Sequence, residues 1–147
     1  MLLISHRGNL SGPNPEHEND PLYIARAISK GFKVEIDIWY KDNEYWLGHD
    51  KPQYNVSYDW LADNYSHLFI HCKNLDALVR FNYPPYKLNF NYFWHENDKA
   101  VLTSHSYIWA YPGNQPIKKS IAVMPEIYND DLSECAGICS DYIINYL

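Results

Sequence analysis

The sequence predicts an α/β chain and, within that class, a compact, stripped-down (β/α)8 TIM-type barrel with several helices reduced to loops. Three observations predict it. Eight short apolar runs, each ending in polar or charged residues, recur along the chain at the length of strands. The first two are separated by a helical segment, an order that favours parallel pairing. Ionisable residues collect where the runs end, as His6-Arg7, Asp37, His49-Asp50, His71-Lys73, His95-Glu96, Glu126 and Asp141; in such barrels the functional groups sit at the C-terminal strand ends. The 147 residues suit one domain over 1–147. They fall well short of the roughly 250 usual for a full barrel, which is why helices must be missing. An open α/β sheet is the alternative.

The runs are LLISH (2–6), KVEIDIW (33–39), EYWLGHD (44–50), HLFIHCK (67–73), NYFWHEN (91–97), YIWAYPG (107–113), SIAVMPE (120–126) and AGICSDYI (136–143). Between them, DPLYIARAISK (20–30) predicts a helix, with Asp20 as N-cap, Pro21 at the first position and Gly31 just past the end. NLDALVRF (74–81) predicts a second, opened by Asn74, and SYDWLADNY (57–65) a less marked third. The other connections are too short for more than a turn. No repeat, low-complexity tract or linker interrupts the pattern.

Composition narrows the function. A formal net charge of −6 argues against a nucleic-acid partner, and the one adjacent basic pair, Lys118-Lys119, reads as a solvated loop. No apolar run approaches the roughly 18–20 residues of a membrane span. The start MLLISHRGN lacks a basic segment ahead of an apolar one, so no signal peptide and a cytoplasmic location are expected. Cys72, Cys135 and Cys139 form neither a paired framework nor zinc-finger spacing and read as core thiols. Aromatic residues make up 16% of the chain but are spread throughout, which favours packing over a stacking surface. Strand backs left bare by absent helices predict a homodimer.

The stretch VEIDIW (34–39) carries the main functional question. Glu35 and Asp37 are two apart, so on a strand they share one face. Facing water, they are the polar side of a half-buried strand; facing inward, they are two like charges that need a cation between them. Alternation alone leaves both readings open.

The segments ISHRGN, PEHEND and VEIDIWYKDNEYWLGHD resemble the amino-terminal half of the glycerophosphodiester phosphodiesterase family, within the phospholipase C-like phosphodiesterases. The likeness rests on His6-Arg7-Gly8, Glu18-Asn19, Glu35-x-Asp37, a hairpin at Asp42-Asn43, and His49-Asp50, in that order. Beyond residue 50 it thins. In FIHCK (69–73), Lys73 matches, but His71 stands where the family has a glutamate; GICSDYI (137–143) resembles the closing strand, and 81–120 matches nothing.

The resemblance implies a metal-dependent phosphodiester hydrolase acting on a small phosphodiester. His6 and His49 would be the acid–base pair, with unperturbed pKa values near 6.5 suited to proton traffic at neutral pH. Arg7 and Lys73 would bind the substrate phosphate. Glu35 and Asp37 would hold one divalent ion, together with Glu18, unless that residue orients Arg7, and with His71. Mg²⁺ or Ca²⁺ comes first for such oxygen ligands, and Mn²⁺ or Zn²⁺ next because His71 brings a nitrogen. Glu96 or Glu126 could supply the carboxylate missing at 71, HEND (95–98) and MPE (124–126) could meet substrate at the catalytic rim, and Asp141 reads as a structural residue hydrogen-bonding near the site. Two alternatives accompany the hydrolase: a non-catalytic phosphate- or metal-binding accessory protein derived from that fold, and a phospholipase D-like lipid phosphodiesterase, for which no amphipathic docking segment is present. TSHS (103–106) lacks a triad-like aspartate, so serine hydrolysis is not expected.

Overall fold

The computed structural model describes residues 1–83 and 88–147. Strand β1 (Leu2–His6) ends in a tight turn, and α1 (Pro21–Ser29) returns the chain to β2 (Lys33–Lys41), parallel to β1. Helix α1 starts where its caps predict: the Asp20 carboxylate accepts from Leu22 N, with Pro21 in the first turn. Helices α2 (Tyr58–Asn64) and α3 (Leu75–Asn82) are capped by the Ser57 hydroxyl and the Asn74 amide oxygen. The other apolar runs form β3 (Glu44–Leu47), β5 (Leu68–Cys72), β6 (Asn91–Trp94), β8 (Ile108–Ala110), β9 (Ser120–Val123) and β10 (Gly137–Ser140). Two three-residue strands escape the sequence pattern, β4 (Tyr54–Val56) and β7 (Ala100–Leu102).

These strands do not build the predicted (β/α)8 barrel. They make one mixed sheet curled into a half-barrel, in the order β4-β3-β2-β1-β10-β9-β8-β7, with β5 and β6 attached through β2. Among the described residues there are three α-helices, so helices do not alternate with strands. The physical reason lies in the short connections. Asp42 and Asn43 both take left-handed φ values, 53° and 63°, and form a two-residue hairpin that sends β3 back antiparallel to β2, with Lys41 opposite Glu44. A parallel partner would need a crossover of about a dozen residues. Strand β8 likewise folds back antiparallel on β7.

Register places the functional face. His6 lies beside Glu35, and Asp37 beside His71, on neighbouring parallel strands. On the outer face Val34, Ile36, Ile38 and Ile70 pack with Ile24 and Ala27 of α1 and Ala77 and Phe81 of α3. Burying each of these large aliphatic side chains contributes about 1.5–3 kcal/mol. The inner face closes over a second cluster, with Ile4, Phe69, Phe93, Trp109, Ile121, Val123 and Cys139. Residues 34–38 of β2 are therefore buried on both faces. Glu35 is 3% exposed and Asp37 0%, so the solvent-facing stripe is ruled out. Cys72 and Cys139 are buried free thiols, and Cys135 is a half-buried one. No helix among the described residues is long and apolar enough to cross a membrane.

Candidate functional site

The turn after β1 aims the first two side chains. Arg7 takes a left-handed φ of 54°, and Gly8 follows at 93°, where a Cβ would stand 2.7 Å from the Tyr23 ring. The Arg7 N–H donates to Glu35 O at 3.0 Å, and Arg7 O accepts from Asn19 N at 3.0 Å. Asn19, itself left-handed, is thereby brought to β2. Its side chain brackets Asp37, accepting from the Asp37 N–H at 2.9 Å and donating to Oδ2 at 3.0 Å.

Asp37 is the electrostatic centre. Arg7 Nε lies 2.9 Å from its Oδ2, His71 Nδ1 3.1 Å from Oδ1, and Lys73 Nζ 3.8 Å from Oδ1. Burial would raise the Asp37 pKa, but the His71 ring and the Arg7 and Lys73 charges hold it well below the usual carboxylate range. Glu35, two residues away, behaves in the opposite sense: burial and the Asp37 charge push its pKa up. Its nearest basic groups are His6 Nε2 and His71 Nδ1, each at 3.8 Å.

His6 is held from behind. Its Nδ1 lies 2.7 Å from Asp141 Oδ1, and because an ionised carboxylate only accepts, Nδ1 carries the proton and Nε2 faces Glu35. Burial disfavours imidazolium, yet the Asp141 hydrogen bond and the Glu35 charge outweigh it and raise the His6 pKa. Asn9 donates to both Asp141 and Glu18, at 2.9 Å each, and so ties the two carboxylates together.

Glu35, Asp37 and His71 each present a ligand atom, and these atoms lie within 4.8 Å of one another. Glu35 Oε2 is buried with no hydrogen-bond partner among the described residues, whereas Asp37 Oδ1 has the ion-pair contacts of His71 and Lys73. A buried carboxylate oxygen without a hydrogen-bond partner is costly unless a cation satisfies it. Two carboxylates and an imidazole so placed could hold a metal ion.

The β3–β4 loop brings the second histidine. Gly48 sits at φ 147°, where a Cβ would fall 2.1 Å from Lys51 O, so only glycine lets the loop fold back so tightly. The Gly48 N–H donates to Asp37 O at 3.1 Å, and its carbonyl accepts from Trp39 Nε1. His49 Nδ1 lies 2.7 Å from Asp50 Oδ1. His49 then faces a cavity of about 240 Å³ shared with His6, Arg7, Glu35 and His71.

The structure thus brings seven predicted site residues together: His6, His49, Arg7, Lys73, Glu35, Asp37 and His71. Glu18 is placed otherwise, with Oε2 on Arg7 Nη1 at 3.2 Å and Oε1 on Asn9, so it orients the guanidinium rather than joining the ligand cluster. Glu126 is held by Ser140 and Tyr146 and does not line the cavity, nor does Glu96. Asp141 is more than structural, since it fixes the His6 tautomer. Sequence reasoning missed the role of Asn19, though it stood in the Glu18-Asn19 motif, and missed Asn9, Trp109 and Tyr111 altogether, while Met124 of the expected MPE rim segment does line the cavity. His95, expected at the rim within reach of substrate, lines the cavity wall and stacks on Tyr111 at 3.6 Å between ring centroids. Burial and the neighbouring His71 lower its pKa to about 4, so it is neutral at pH 7.

No family model matches the chain, and neither the curated proteins nor the solved structures compared with it contain a match.

Proposed function

We propose that the chain is a metal-dependent phosphodiester hydrolase. One divalent ion would be held by Glu35, Asp37 and His71, with proton transfer divided between His6 and His49. A single observation carries the reading: Glu35 and His71, two of a clustered trio of ligand residues, line the same cavity as two carboxylate-backed histidines and a guanidinium. A bound cation would offset the charge that builds on the phosphoryl oxygens.

The chain's own groups supply the rest. Arg7 uses Nε and Nη1 on Asp37 and Glu18, which locks its plane and leaves Nη2 for a phosphoryl oxygen. His6, whose raised pKa favours the protonated ring, donates its Nε2 proton to the departing alkoxide. His49, 42% exposed in its side chain, takes the proton of the attacking hydroxyl or water and returns it to solvent. One P–O ester bond breaks as one P–O bond forms, no atom changes oxidation state, and His6 recovers its proton from solvent as His49 releases one.

Hydrolysis of bis(4-nitrophenyl) phosphate, after chelation and then with Mg²⁺, Ca²⁺, Mn²⁺ or Zn²⁺ restored, tests this. Turnover should depend on metal and fall by about 10²- to 10⁴-fold in His6→Ala and in His49→Ala. Metal binding without turnover would leave the accessory reading in its place.

A further inference from the structure

The cavity over Glu35 and His71 holds a polar group that the mechanism above leaves idle, the Tyr111 hydroxyl. Tyr111 follows β8 and lines this space of about 240 Å³ together with His6, Arg7 and His49. Its hydroxyl is buried with no hydrogen-bond partner among the described residues. Glu35, which lines the same cavity, has its Oε2 in the same condition. The two atoms therefore do not bond each other, and an occupant of the cavity has to meet both. Burial and then the Glu35 charge push the Tyr111 pKa up, so at neutral pH the phenol keeps its proton and can donate it.

The ring that carries this hydroxyl is fixed on several sides. It stacks on His95 with centroids 3.6 Å apart and 21° between planes, and the Tyr111 N–H donates to Lys99 O at 3.0 Å. Two residues back, Trp109 is 2% exposed and packs against Phe69 and Phe93, with centroids 5.6 and 4.9 Å away. Phenylalanine at 111 would give the same stack without stranding a polar atom, and a stranded buried hydroxyl costs stability. A ligand oxygen would complete it. A donor already held in place needs no reorganisation as charge develops on its acceptor. A phosphodiester presents two non-bridging oxygens, and Arg7 Nη2 serves one of them.

We propose that Tyr111 is a further catalytic residue: its hydroxyl donates to a non-bridging phosphoryl oxygen of the diester, and the bond tightens as charge gathers there in the transition state. The inference rests on the phosphodiesterase reading above and adds to it a donor from the end of β8.

Tyr111→Phe removes the hydroxyl and keeps the ring, so the metal-loaded full chain is compared with this variant on bis(4-nitrophenyl) phosphate. The kcat should fall by about 10²- to 10³-fold, as on loss of one oxyanion donor, while KM moves by less than about threefold. Because the hydroxyl has no partner in the protein, the chelated variant should melt at or above wild type. A wild-type kcat, or a loss carried by KM alone, overturns the assignment. A kcat loss that comes with a lower Tm overturns it too, since the hydroxyl would then serve the fold. If wild type turns over no diester with any ion, the hydrolase reading fails, and the donor is judged separately by calorimetry with inorganic phosphate. Phosphate binding weakened about tenfold by Tyr111→Phe upholds it; equal binding, or none, overturns it.

Discussion

Glu35 and Asp37 are neighbours on one strand face, yet neutralising them should move stability in opposite directions. Asp37→Asn leaves Arg7 and Lys73, 18% and 17% exposed in their side chains, without their shared counter-charge. Removing one partner of a buried pair costs about 3–5 kcal/mol. Arg7 keeps Glu18 at 3.2 Å, both cations reach some water, and Glu35 is relieved of a like charge. Together these reduce the net cost to about 2 kcal/mol, or a Tm lower by roughly 4–8 °C for a chain of this size. Glu35→Gln removes a carboxylate that burial and Asp37 already disfavour. The chelated variant should melt at or above wild type at pH 7. Differential scanning calorimetry of the chelated proteins reads both. An Asp37→Asn variant as stable as wild type, or a Glu35→Gln variant lowered as much as Asp37→Asn, would refute this electrostatic account.

Two other variants test neighbouring parts of the site. The Asp141 pKa is lowered, since the His6 hydrogen bond outweighs burial, so its contribution is present above about pH 4 and lost as pH falls through the depressed value. The His6 pKa is raised, so its contribution is present below about pH 6.5 and lost as pH rises through the raised value. The pair therefore stabilises the metal-free protein most between those limits, and Asp141→Asn should flatten that maximum in melting curves taken across pH; an unchanged profile would count against the pair. Gly48→Ala forces a Cβ onto Lys51 O and should displace His49, lowering kcat toward that of His49→Ala. Full activity in this variant would mean the loop geometry does not position the histidine.

The local structure was legible because its causes are local. Short apolar runs ending in polar residues mark β1, β2, β3, β5, β6, β8, β9 and β10, and Asp20, Ser57 and Asn74 cap the three helices where their side chains can reach an early N–H. Pairing was not legible from the runs. EYWL reads the same whether it joins a parallel or an antiparallel neighbour, and the left-handed Asp42-Asn43 turn decides for the hairpin. That turn was visible in the sequence, and it already argued against counting residues 44–50 as another parallel strand. Strands β4 and β7 are too short to show a period. At the site, the carboxylates and histidines announced themselves by residue type. Asn19 and Asn9 act through contacts set by a left-handed turn, and Tyr111 through the curl of the sheet, neither of which residue type encodes.

The most direct test of the central claim is calorimetric titration of the chelated protein with Mg²⁺, Ca²⁺, Mn²⁺ and Zn²⁺. The account predicts one ion per chain for at least one of them. That binding should be lost in Asp37→Asn and weakened by about 10- to 100-fold in His71→Ala, since each removes one of the three clustered ligand atoms. No binding of any ion, or binding that both variants leave intact, would contradict it: Glu35 and Asp37 would then be a buried pair neutralised by Arg7, Lys73 and the two histidines alone.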